Sequence, residues 1–407
     1  MKFAAIMITA FLLFPSIAFE KTTGNILYVG GHGEGNYTSI QAAINDARDG
    51  DTIYVYPGHY NESVVIDRSI SLIGIVENGE KPVIHGIGNK SALTINADGC
   101  ILKNFILKSK EVKIAPDISP SCVINSNHNI IENNTFMYGW CSLYLNNSSY
   151  NIIKNNTIKN GYWEGLFTSG CTHNIFLYNI AEDNMGDGLF FSQEKESKIS
   201  RNIVTDGITI SLSKNCTLSF NNAYKDIIGI AMDLCYNITV KHNRLHDNAI
   251  AGIQMMDCYH CIVEENEMYR NQGGIMVQSD YAGYNIHKQY NIIRRNNISY
   301  NKDVGIYIES SIMNVFEENN LIHNKVDAWF WYQSVFDTDH WRDFPFRPCH
   351  NIWRANYWDG WHTGMPKPIT GIVDIFIFLF DRWFYSISLP YYNFDFHPAM
   401  EPYEIQS

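Results

Sequence analysis

The apolar positions along this chain come in runs of three to five residues, set apart by polar corners. Between about 99 and 333 the runs recur with a fixed refrain. "SYNIIKNNTIKNG" at 149–161 has close copies at 128–139, 290–301 and 350–360. Each copy places Asn ahead of an apolar pair, then a charge, then Asn again before a strand-forming residue. Aligned on that second Asn, the series is Asn104, Asn134, Asn156, Asn179, Asn202, Asn222, Asn243, Asn266, Asn296, Asn319 and Asn356. The commonest gap is 23 residues; others are 20 to 22, with three longer gaps of 30, 30 and 37. About nine residues on comes Gly followed by alternating apolar residues, as at Gly165, Gly188, Gly229, Gly252, Gly274 and Gly305.

A unit this short, holding two or three brief strands, cannot bury its own apolar face. Stacking identical units does, because each strand pairs in parallel with its counterpart one coil on. The spacing leaves no room for strand-plus-helix units, and the runs are rich in β-branched residues. The pattern therefore predicts an all-β fold, a right-handed parallel β-helix, over 19–360. The Asn is expected to supply the left-handed backbone at a corner and a column of bonded amides, ten steps of about 4.8 Å.

The ends read differently. Thr38-Ser-Ile-Gln41 predicts a helix N-terminus, and Ile40 to Arg48 an amphipathic helix covering the first coil's edge. Strand-like runs follow at Thr52–Tyr56, Val64–Ile66 and Ile70–Ile75. Residues 361–407 have another composition, with an apolar run Ile372–Phe380 broken only by Asp374. That run is too short to span a bilayer. It is expected to form an aromatic C-terminal cap, with docking to a membrane surface or a protein as the other reading. Lys2, the apolar stretch Phe3–Phe14 and the small residues Ser16-Ile17-Ala18 predict an export signal over 1–18.

The net charge is −12, and loss of Lys2 with that signal makes it −13. Such a surface argues against nucleic acid as a partner. It also disfavours acidic polysaccharides unless a local basic patch or a bound cation is present. Nine Cys leave at least one thiol unpaired within a monomer. Ten Asn-X-Ser/Thr sequons occur, many inside the refrain itself.

"YTSIQAAINDARDGDTIYVYPGHYNESVVIDRSISLIGI" (37–75), the repeats at 99–333 and "NIWRANYWDGW" (351–361) resemble NosD-type, pectin-lyase-like β-helix proteins. The resemblance implies an exported fold whose repeats occur in carbohydrate-binding, sugar-hydrolysing and surface proteins. The family name implies copper delivery to a periplasmic reductase. Fold alone transfers no chemistry.

Alternation along the Gly-headed strand sends positions one and three inward and positions two and four outward. Position two collects Phe167, Phe190, Thr209, Ala231, Gln254, Met276, Tyr307 and Phe330. Position four collects Ser169, Ser192, Ser211, Asp233, Met256, Gln278, Glu309 and Tyr332. Rings beside amides and carboxylates suit sugar faces and hydroxyls. Phe167, Phe190, Gln254, Gln278, Tyr307 and Glu309 are thus the candidate glycan contacts, though a strand surface also favours rings for its own sake.

Glycoside hydrolysis needs two carboxylates flanking one bond. Asp233, Asp257 and Asp280 lie near strand ends in successive coils and are the acid/base candidates. Asp183 and Asp187 form a second pair. Soft ligands gather at Met256, Cys258, His260 and Cys261, which would suit copper(I) or zinc. Cys235 and Cys258 hold equivalent places in neighbouring coils, so a disulfide or a stacked pair of buried thiols is the competing reading. No cofactor is required by these features; copper and calcium both stay open. The sequence thus supports an exported glycan-binding or structural β-helix, with a polysaccharide hydrolase or lyase and a copper-associated periplasmic protein as alternatives.

Overall fold

The computed structural model describes residues 24–111, 118–279, 287–337, 351–379 and 382–405. The predicted export signal and Asp280 lie outside them. One coil shows the plan: Ile152–Lys154, a corner, Thr157–Lys159, a second corner, then Glu164–Ser169. Each strand pairs in parallel and in register with its counterpart in the next coil, so three parallel sheets wrap one core in a right-handed β-helix. The sheet through Thr157–Lys159 has 13 strands, twelve steps of ~4.8 Å or roughly 58 Å of rod. Ile153, Ile158, Leu166 and their equivalents point inward and are fully buried.

Parallel strands in three flat faces require sharp corners, and the corners carry the Asn signal. In the first, Asn134, Asn156, Asn179, Asn202, Asn221, Asn243, Asn266, Asn296, Asn319 and Asn356 form one column. From Asn156 on, each Oδ1 accepts both the backbone N–H and the side-chain amide of the Asn one coil earlier, as Asn202 does for Asn179 at 2.9 and 3.1 Å. The backbone donor turned inward at the corner would otherwise be buried without a partner. The column ends on Asp395, which is fully buried and accepts from the Asn356 backbone, the Asn356 amide and the Trp358 indole.

Two details differ from the sequence reading. Asn221, not Asn222, holds the ladder place; Asn222 begins the following strand. Phe105 occupies the place assigned to Asn104, whose own φ is 66°. The second detail generalises. The left-handed residue is the one before the ladder Asn: Asn133, Asn155, Tyr178, Arg201, Phe220, His242, Glu265, Arg295, Glu318 and Ala355 all have φ between 51° and 57°. The ladder Asn contributes its amide, not its backbone conformation. Similar columns stand at the other corners, Asn129–Asn151–Asn174 and Asn248–Asn271–Asn301–Asn324 among them.

A helix, α1, runs Ile40–Asp46, two residues shorter than expected, with Ile40, Ala43 and Ile44 buried. Its N-cap is Ser39, and Glu62 accepts from the Ile40 and Gln41 backbone. Beyond the coils, Lys367–Leu379 and Arg382–Asp395 form a long antiparallel hairpin, and the first of these pairs in parallel with Val326–Asp337. Leu389, Tyr392, Phe394 and Phe396 on this hairpin and just after it are exposed. No described helix is long and apolar enough to cross a membrane.

Candidate functional site

The outward column of the third sheet begins with rings. Tyr144, Phe167 and Phe190 are aligned by strand register. Phe167 stacks on Phe190 at 5.3 Å between centroids, and Trp140 meets Tyr144 and Phe167 edge-on at 5.5 Å each. Trp163, 52% exposed, extends the patch toward the corner. Trp140, Tyr144, Phe167 and Phe190 are each more than half buried, so their outer edges meet solvent along a row about three coils long.

Further along, the same face turns polar and binds itself. Gln254 donates to Gln278 at 2.6 Å, and Gln278 donates to Glu309 at 2.8 Å. Tyr307 also donates to Glu309 and stacks on Trp329. Glu309 is only 6% exposed, so this expected glycan contact is packed into a network. The ring-bearing end is the more available half of the strip. The expected outward places of Phe330 and Tyr332 are corrected: both are fully buried, and Trp329 and Trp331 face out. The strand Val326–Asp337 lacks the leading Gly, and counting without it shifts the alternation by one.

Of the proposed acid/base trio, Asp233 and Asp257 lie within the described residues. Asp233 ends its strand, faces Met256 in the next coil and accepts from Ser211. Asp257 sits one position later, at the left-handed corner with φ 46°, where its coil neighbour is Leu234.

A different carboxylate pair meets at the ring patch. Glu164 opens the strand that carries Phe167, and Asp187 holds the matching place 23 residues on, beside Phe190. Burial, then the nearby Asp187 charge, pushes Glu164 up to about 7. Burial pushes Asp187 up to about 6, against a hydrogen bond from Thr209. Glu164 Oε2 is buried with no hydrogen-bond partner. Asp226 lies close enough to Asp187 to raise it further and is itself raised by burial. Sequence reasoning singled out Asp187 but paired it with Asp183; it missed Glu164, Trp140 and Tyr144.

The corner next to the rings opens into two cavities. One, of about 340 Å³, is lined by Trp140, Tyr162, Tyr138, Asp183, Met185 and Lys110, among others. The next, of about 480 Å³, shares Tyr138, Lys110 and Glu111 and runs on to His85, Gly88 and Lys108.

The soft-ligand cluster divides across the sheet. Cys258 and Cys261 point inward and are fully buried, whereas Met256 and His260 are outside, with His260 stacked on Tyr290. Burial holds the Cys258 thiol well above its usual range. Cys235 and Cys258 are buried free thiols, not a disulfide. No three His, Cys, Asp or Glu side chains converge on a metal position among the described residues. These residues do not fit a copper site.

Strands, corners and core together define a right-handed parallel β-helix protein. Residues 205–341 match the family described as periplasmic copper-binding protein (NosD), and 80–223 match the right handed beta helix region. A cell surface glycoprotein of Methanothermus fervidus is 31% identical over 106 residues, 26% of this chain and 17% of that protein's length. The A-module of the Azotobacter vinelandii mannuronan C-5 epimerase AlgE4 shares the fold with a TM-score of 0.62 at 15% identity, over 74% of this chain and 97% of that one. The Dettilon tailspike protein gives 0.56 at 14% identity, over 74% and 68% of the two chains. The catalytic domain of a GH87 α-1,3-glucanase gives 0.51 at 15%, over 82% and 69%. At such identities the likeness is one of fold.

Proposed function

We propose that this chain is an exported, surface-facing β-helix that binds polysaccharide along the ring-bearing end of its third sheet. The observation that carries the reading is the aligned, solvent-facing patch of Trp140, Tyr144, Phe167 and Phe190. Ring faces of this kind stack on the apolar faces of sugars, and each coil offers the next ring about 4.8 Å further on. The family match to a periplasmic protein and the likeness to a cell surface glycoprotein support export. The test is a glycan array followed by titration of any hit. Phe167→Ala/Phe190→Ala is expected to weaken binding about tenfold or more, while Gln254→Ala changes it less than threefold. Equal losses from both variants, or no hit at all, would remove the reading.

One observation favours a second reading, polysaccharide cleavage. Glu164 and Asp187 stand in register one coil apart, a backbone separation of about 4.8 Å, which leaves the ~5–5.5 Å between carboxyl groups of a retaining glycosidase pair within reach of their side chains. Glu164, with the higher value, would give its proton to the glycosidic oxygen, and Asp187 would attack the anomeric carbon. Water then releases the sugar and restores both carboxyls. Product analysis of wild type against Glu164→Gln and Asp187→Asn checks this. Turnover with retained anomeric configuration that both variants abolish is the expected result; turnover surviving in both variants is the result that sinks it.

A further inference from the structure

The two corner cavities form one groove along the second sheet. It crosses successive coils from His85 and Lys108, which are in register, past Tyr138, one place beyond the matching Met137, to Tyr162 and Asp183. Four steps between coils give it a length of roughly 19 Å. Its two ends differ in chemistry. The far end is aromatic, built from Tyr138, Trp140 and Tyr162. The near end is basic, built from His85, Lys108 and Lys110, with Glu111 the one carboxylate among its described lining residues.

This near end stands out on a chain of net charge −12. Several cations elsewhere on the coils are matched along the columns. Lys103 and Lys154 share Glu132, Lys159 pairs with Glu182, Arg244 with Glu267 and Arg294 with Glu264. Neither Lys108 nor Lys110 has an ion-pair partner among the described residues. Lys108 is half-buried in the groove floor and lies close enough to His85 to help hold its imidazole below the usual range, after burial itself and alongside His59. His59 and His85 are stacked, with Nδ1 and Nε2 3.1 Å apart. Two cations against one described carboxylate, beside an imidazole held below its usual range, leave an excess of positive charge in one concave place. An anion there relieves it, and Gly88, whose outer side is open, leaves room for one.

We propose that this groove binds an acidic oligosaccharide, its sugar rings over Tyr138, Trp140 and Tyr162 and its anionic groups on Lys108, Lys110 and His85. The proposal rests on the glycan-binding reading and specifies its ligand class. Carboxylate and sulfate sugars share the recognising chemistry. The local basic end supplies what the overall charge withholds.

The experiment titrates the full chain with a tetrauronate, a sulfated tetrasaccharide and a neutral tetrasaccharide, following heat and the His85 ring resonances. At least one acidic ligand is expected to bind about tenfold tighter than the neutral one at low salt, and the tighter of the two names the anion. His85 should titrate at higher pH in that complex, because a bound anion favours its charged form. Lys108→Gln/Lys110→Gln should erase the preference, a loss of about five- to thirtyfold. The wild-type His85 shift keeps the test meaningful if that variant folds poorly. Equal binding of acidic and neutral ligands, or an unmoved His85, overturns the proposal and leaves the glycan reading standing. Binding of none of the three removes both.

Discussion

Replacing Asn243 with Ala tests the corner ladder most directly. The Asn243 side chain is fully buried. It accepts from the Asn221 backbone at 2.9 Å and from the Asn221 amide at 3.0 Å. It donates to Leu218 O at 3.0 Å, Lys241 O at 3.1 Å and Asn266 Oδ1 at 2.9 Å. Truncation leaves the Asn221 N–H buried without its acceptor, worth about 1–3 kcal/mol, and removes further bonds worth about 0.5–1.5 kcal/mol each. Lost packing adds to that. The sum is on the order of 2–6 kcal/mol, in the middle of the rod where neighbouring coils depend on each other. Asn125→Ala is the matched control. It too gives up an amide bond one coil away, to Asn96 at 3.0 Å, but in an exposed column where water replaces the partner. Its cost should stay near 0.5 kcal/mol or below. Urea unfolding followed by circular dichroism measures both, with the m-value checked for a change in cooperativity. A loss below ~1 kcal/mol for Asn243→Ala, or one no larger than the control's, would refute the account of why the refrain exists.

Two further outcomes follow from buried carboxyls. Glu194 is fully buried and hydrogen-bonded to Thr168, Asn174 and Ser197, yet burial outweighs those bonds and raises its pKa. A raised carboxyl stabilises fully below the unfolded value of about 4.3 and loses that contribution as pH climbs through the folded value. Glu164 and Asp187, at about 7 and about 6, have the same sign. The melting temperature should therefore fall between pH 5 and pH 8, and Glu194→Gln should flatten that slope; a slope unchanged in the variant contradicts the assignment. Asp395→Asn should cost about 1–3 kcal/mol in the same unfolding assay, because an amide group would then face donors where a carboxylate accepts them from both oxygens. No measurable loss would mean the ladder does not need that anionic end.

Much of the fold was legible because its signals are local and repeated. A strand run bounded by corners is fixed by about ten residues, and Thr52–Val55, Val64–Ile66 and Ser71–Gly74 fall where the apolar runs put them. What failed was register by one residue. Asn221 and Asn222 are adjacent and both Asn, so only the ladder's own hydrogen bonds decide between them. Trp329 and Trp331 alternate with Phe330 and Tyr332, all four aromatic, so the residue types do not reveal which pair is inside. The candidate site was hidden for another reason. Glu164 follows two aromatic residues at a corner, where a charge ordinarily means a solvated turn. Its partner is a full coil away, and nothing in either stretch marks their meeting. Asp257 is the opposite case, since its strand-end position is a left-handed corner that tolerates Asp for backbone reasons.

The amide column also bears on how such a chain can change length. Every rung leaves open the donors that the following rung closes, so one whole coil is interchangeable with another. Duplicating or deleting a complete turn preserves the bonds of this column, while adding a single residue inside a strand shifts its register. Only the terminus is unique, because the stack must finish on a group that accepts and asks for nothing further. A lineage carrying this architecture can therefore lengthen its rod freely, provided the piece bearing Asp395 is kept at the far end.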